Sequence, residues 1–89
     1  MKIDRHNAYV KELGKNIRSI RKMKGVTMEA LSYKAEIEYR LVGRIERGEG
    51  NTTVISLLKI ADALNVDVLD FFNFKTLTKK DNTSFLHFN

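Results

Sequence analysis

Thr27-Met28-Glu29-Ala30-Leu31-Ser32-Tyr33-Lys34-Ala35-Glu36-Ile37-Glu38-Tyr39-Arg40-Leu41-Val42-Gly43-Arg44-Ile45-Glu46-Arg47-Gly48 is the stretch whose reading decides the fold. It reads as two short helices separated by a break. Thr27 is a helix start whose hydroxyl can accept from an unpaired backbone N–H, and Glu29 suits the positive helix end that follows. Ala35-Glu36-Ile37 interrupts the first segment. The second runs from about Glu38 or Tyr39 to Arg47, and Gly48 closes it as a left-handed terminator. Helices this short persist only when packed against others. Ala30, Leu31, Ala35, Ile37, Val42 and Ile45 are the apolar residues expected to clamp the pair. Tyr39, Arg40, Gly43 and Arg44 are then left on one outward face of the second helix.

Two short helices joined by a three- or four-residue turn have the dimensions of a helix-turn-helix, in which the second helix enters the DNA major groove. The outward side chains suit that task. A guanidinium can bond both O6 and N7 of guanine, which makes Arg40 and Arg44 candidate base readers. Tyr39 can reach a phosphate, a base edge or a thymine methyl. Gly43 would let the helix backbone approach the groove closely.

Working outward, Val10, Leu13, Ile17 and Ile20 form one stripe of an amphipathic helix, expected from about His6 to Lys24 and ended by Gly25. Downstream, Thr52 or Thr53 caps a helix with the stripe Val54, Leu57, Leu58, Ala61 and Leu64, widened by Ile60. Asn65 is its terminator. Asp67 then caps a last short helical turn, Val68 to Phe72, whose Leu69 and Phe72 are expected to cover the core. The predicted domain spans 1–74. Residues 75–89 are a polar run ending in Phe85, Leu86 and Phe88, expected to be disordered or to form a dimer arm.

Composition narrows the possible partners. The 89 residues suffice for one compact domain and carry a net charge of +5, with no proline and no cysteine. Disulfides and thiolate zinc sites are thereby excluded, and an acidic partner is favoured. No apolar run approaches the roughly 20 residues needed to span a bilayer, and the N-terminal residues lack the apolar core of a signal peptide, so a cytoplasmic location is expected. The charge is unevenly placed. Before Val26, eight basic residues face only Asp4 and Glu12, whereas Thr27 to Asn51 holds four basic residues against five glutamates. A basic first helix thus stands beside a more selective element, and Lys15 and Arg18 on that helix are candidate phosphate contacts.

No serine has a triad-like partner, no glycine-rich phosphate loop is present, and His6 and His87 have no ligand cluster around them. Neither an enzyme nor a metal or cofactor is expected.

Ile45-Glu46-Arg47-Gly48, preceded by Thr27-x-Glu29-x-Leu31 and followed by Leu57-Leu58-Lys59-Ile60-Ala61-x-Ala63-Leu64-x-Val66, resembles the phage-repressor/Cro class of bacterial regulators, often called Xre-type. The resemblance covers roughly Leu13 to Phe72. It implies an all-α, five-helix, lambda-repressor-like domain whose second and third helices form the reading motif. It also implies a buried ion pair between Arg21 and Glu46. Tyr39, Arg40 and Arg44 match its base-reading positions, and Thr27, Met28, Arg47 and Asn51 match positions near phosphates. Glu38 is a candidate of the same phosphate-contacting set, although its carboxylate repels phosphate.

The chain departs from the pattern at four places. Met28 stands where glutamine is common and cannot donate a hydrogen bond. Glu36 occupies a turn position often held by glycine, Glu38 replaces a serine or threonine cap, and Thr52 replaces a frequent proline.

The function expected from these readings is sequence-specific binding of double-stranded DNA by a homodimeric repressor at a partly palindromic operator. An antitoxin or a restriction–modification controller would share that chemistry, and a protein-interaction module could keep the same fold. With no ligand-binding domain in the sequence, no small-molecule effector is expected.

Overall fold

The computed structural model describes residues 2–74, with side chains from His6 onward. Among these residues four α-helices follow one another: α1 (Lys2–Met23), α2 (Met28–Ala35), α3 (Tyr39–Arg47) and α4 (Val54–Leu64); a 3₁₀ turn (Val68–Phe72) comes after them. The architecture is all-helical, as the sequence implies. The expected fifth helix is this 3₁₀ turn, and α1 begins four residues earlier than its apolar stripe suggests. The expectations about the 75–89 segment lie outside the described residues.

Local chemistry sets the boundaries. The Thr27 hydroxyl accepts from the Ala30 N–H at 3.0 Å and Thr53 does the same for Ser56 at 3.0 Å, so each satisfies one orphan donor of its helix. Gly25, at φ 71°, turns the chain out of α1. Glu36 adopts the left-handed conformation at φ 57° that glycine would take at no cost. The turn is held in compensation by the Ser32 hydroxyl, which donates to the Ile37 carbonyl. Glu38 precedes α3 without making a side-chain cap.

One core holds the elements together: Leu13 and Ile17 from α1, Leu31 and Ala35 from α2, Ile37 from the turn, Val42 and Ile45 from α3, Leu57, Ile60, Ala61 and Leu64 from α4, and Phe71. Two expectations about this core need correction. In α4, Val54 and Leu58 stand outside it, 68% and 43% exposed. In the closing turn, Leu69 is 70% exposed and Phe72 43%, while Phe71 is fully buried. In a 3₁₀ segment residues i and i+3 eclipse, so Leu69 and Phe72 share one side and Val68 and Phe71 another. Packing of the turn against α1 and α4 takes the Val68–Phe71 side inward, with Val68 against the core. Asn16 of α1 fastens this segment, its Nδ2 donating to the Phe71 carbonyl at 2.8 Å.

The crossing of α1 over α3 is set by Gly14. A Cβ at this position would lie 2.3 Å from the Ile45 carbonyl oxygen and 2.6 Å from that of Glu46. Only a missing side chain lets the two backbones come this close. Helix propensity alone favours Gly14→Ala by roughly 0.5–1 kcal/mol. The expected result has the opposite sign, a loss of about 2–3 kcal/mol in urea unfolding, because α1 must move off α3.

Candidate nucleic-acid interface

The geometry of α3 follows from which of its faces is buried. Val42, Gly43, Ile45 and Glu46 are buried, whereas Tyr39, Arg40 and Arg44 are exposed, Tyr39 at 51%. The three candidate base readers thus lie on the solvent side of a short helix whose back is fixed.

The back is fixed by polar as well as apolar contacts. Arg21, 7% exposed, donates from Nε to Glu46 Oε2 at 2.6 Å and from Nη2 to Glu46 Oε1 at 3.0 Å. Its Nη1 donates to the Val26 carbonyl at 2.9 Å. One guanidinium therefore ties α1, the loop before α2 and the end of α3. The hydrogen bond to Glu46 raises the Arg21 pKa against the opposing effect of burial. Glu46, 8% exposed, has its carboxylate satisfied by the fork geometry.

Beside this pair lies a cleft of about 230 Å³ lined by Arg18, Arg21, Met28, Gly43, Glu46 and Arg47. Arg18, Met28 and Arg47, predicted separately from α1, α2 and α3, are brought together here at the N-terminus of α2. Gly43, expected on the outward face, is instead buried at the cleft's floor. A Cβ there would lie 3.0 Å from Arg47 Nη1 and 3.3 Å from Met28 Cε. The Met28 and Arg47 side chains fold over this glycine, so its role in the free protein is to make room for them.

The other candidates are more dispersed. Thr27 spends its hydroxyl on the α2 cap. Lys15 is an exposed side chain 3.6 Å from Glu12, one turn away on α1. Glu38 and Asn51 are exposed. Glu49, which the sequence reading left without a role, pairs with Arg47 through two hydrogen bonds, Nε to Oε2 at 3.0 Å and Nη2 to Oε1 at 3.2 Å. Residues two apart do not meet along a helix. They meet here because Gly48, at φ 72°, folds the chain back after α3. That glycine was the available signal. The hydrogen bond from Arg47 holds the Glu49 pKa below its ordinary value, with the charges of Arg47, Arg44 and Lys11 adding to it.

Residues 17–71 match the helix-turn-helix family HTH_3. A relative from Sinorhizobium fredii, the uncharacterized HTH-type transcriptional regulator y4dJ, is 32% identical over 75 residues, covering 84% of this chain and 91% of that protein. Among solved structures, the restriction-modification controller protein C.AhdI from Aeromonas hydrophila is 31% identical with a TM-score of 0.71, over 73% of this chain and 98% of that one. The wild-type restriction-modification controller protein C.Esp1396I is 33% identical with a TM-score of 0.67, over 78% of this chain and 87% of that one. With α2 and α3 in the arrangement described above, the chain belongs to the HTH_3 helix-turn-helix family and is a DNA-binding transcriptional regulator.

Proposed function

We propose that the protein is a homodimeric repressor that reads a partly palindromic operator, with Tyr39, Arg40 and Arg44 selecting bases. The observation that carries this reading is the solvent-facing position of those three side chains on a helix locked from behind by Arg21–Glu46. Arg18, Arg47 and the N-terminus of α2 supply phosphate contacts at the cleft, with Lys15, Thr27 and Asn51 flanking them. Met28 and Glu38 lie along the same DNA backbone path without donating to it. Arginine is well suited to phosphate because its planar fork offers two parallel donors.

Pairing of two copies is supported by the exposed apolar residues Leu69 and Phe72 on the closing turn and Val54, Ile55 and Leu58 on α4. A domain of this size is marginal alone, and such a surface gains by being covered. Two-fold pairing sets the reading helices about 34 Å apart, one turn of DNA.

Selection of bound duplexes from a random pool tests the reading. A site with two inverted half-sites supports it, and a single unrepeated half-site removes the dimer. On the selected site, Arg40→Ala and Arg44→Ala are each expected to cost about 1–3 kcal/mol, confined to one base pair per half-site. Unchanged binding by both variants would move the reading surface elsewhere.

Control of restriction–modification genes is a second, narrower reading. It is favoured by the nearly full-length coverage of the two controller proteins. A selected site lying upstream of such genes supports it.

A further inference from the structure

The loop from Gly48 to Gly50 seats a carboxylate among three cations. Gly48 packs so tightly on α1 that a Cβ would lie 2.6 Å from the Lys11 Cα, which keeps Lys11 beside the loop. Gly50, also left-handed at φ 74°, leaves room for the Arg44 guanidinium, whose Nη2 would be 2.7 Å from a Cβ there. Arg47 directs Nε and Nη2 at the two Glu49 oxygens. Glu49 thus faces Arg47, Arg44 and Lys11 at once. Two oxygens on one guanidinium fork, with further positive charge around them, is also the geometry of a DNA phosphate held by arginine.

We infer that Glu49 is an internal competitor for DNA, occupying in the free protein the place on Arg47 that a backbone phosphate takes in the complex. This rests on the proposed phosphate contact of Arg47. Binding exchanges one anion for another: the phosphate takes the Nε and Nη2 donors, and the carboxylate is released to solvent. The pair is solvent-exposed, with side-chain accessibilities of 58% and 49%, so water and salt weaken it and the exchange is readily made. Phosphate contacts carry no sequence information, so this competition lowers affinity for every duplex alike. The ratio of affinities between one sequence and another is left unchanged. Glu49 therefore sets the affinity for DNA as a whole, without contacting a base.

The test measures dissociation constants by fluorescence anisotropy on a random-sequence duplex across a salt series. It compares the full-length wild type with Glu49→Gln, Arg47→Ala, the double variant and Asp62→Asn. Asp62 is exposed on α4 and removes the same charge away from the loop. Glu49→Gln is expected to bind roughly two- to fivefold more tightly than wild type, the range set by the worth of an exposed pair. Its salt dependence should steepen by up to about one unit of log K against log salt.

Asp62→Asn should gain less, and the Glu49→Gln gain should disappear once Arg47 is alanine. A gain that persists without Arg47, or one matched by Asp62→Asn, overturns the inference and leaves a general charge effect. If Arg47→Ala binds as well as wild type while folded by circular dichroism, the phosphate contact itself fails and the inference falls with it. A weakened Arg47→Ala beside an unimproved Glu49→Gln defeats the competitor role alone.

Discussion

Replacing Glu46 with alanine is expected to lower stability by about 3–5 kcal/mol, the range for removing one partner of a buried ion pair. Arg21 is left charged and 7% exposed, with Nε and Nη2 facing a void and only the Val26 carbonyl still accepting from Nη1. The penalty is chiefly desolvation of an unpaired guanidinium, since the attraction within such a pair largely offsets the cost of burying it. That account makes a second result obligatory. Replacing both partners with apolar residues, Arg21→Met with Glu46→Leu, should recover most of the loss. Urea unfolding at one fixed protein concentration measures both variants, because any assembly shifts apparent stability by mass action. If the double variant is as unstable as Glu46→Ala, the tie from α1 to α3 contributes specific hydrogen bonds beyond avoiding a bare charge.

Phe71→Ala is expected to cost about 3–5 kcal/mol, as large-to-small replacements of buried aromatic residues do. Phe71 is fully buried and belongs to the core shared by all four helices. Its removal opens a cavity between α1 and α4, the two helices that meet the closing turn. The neighbouring residues supply the contrast. Leu69→Ala and Phe72→Ala, at 70% and 43% exposure, should each change the stability of the isolated subunit by well under half as much. Thermal or urea unfolding at low protein concentration distinguishes them. A large loss from Leu69→Ala that grows with protein concentration would trace its role to pairing of copies.

The Arg21–Glu46 pair and the Phe71 anchor differ in how far the sequence reveals them. Arg21 and Glu46 are 25 positions apart, and nothing in the periodicity of either helix joins them. They were expected only because both match a family pattern. The Phe71 anchor is not legible because Val68–Phe72 offers two apolar pairs three residues apart, Leu69 with Phe72 and Val68 with Phe71. Which pair points inward is set by how the turn docks on α1 and α4. Tyr39, Arg40 and Arg44 were legible from spacing on a single helix, since the positions of Val42 and Ile45 leave only one side for solvent. Gly43 was not, because its burial comes from Met28 of another helix and from Arg47, not from its place on α3.

The sequence by itself determined the four α-helices, the caps between them and the outward placement of Tyr39, Arg40 and Arg44. Caps such as Thr27, Gly25, Gly48, Thr53 and Asn65 act within a few residues of themselves, so their chemistry is complete in the local sequence. Only the tertiary structure decided the rest. Gly14 has meaning as the clearance between two backbones, and Phe71 as the residue that docking of the closing turn on α1 and α4 takes into the core. Arg18, Met28 and Arg47 become one cleft when three helices converge, and Glu49 reaches Arg47 when Gly48 reverses the chain. In each case the deciding quantity is a distance between groups whose separation depends on how the helices cross or the chain turns, which no single element specifies.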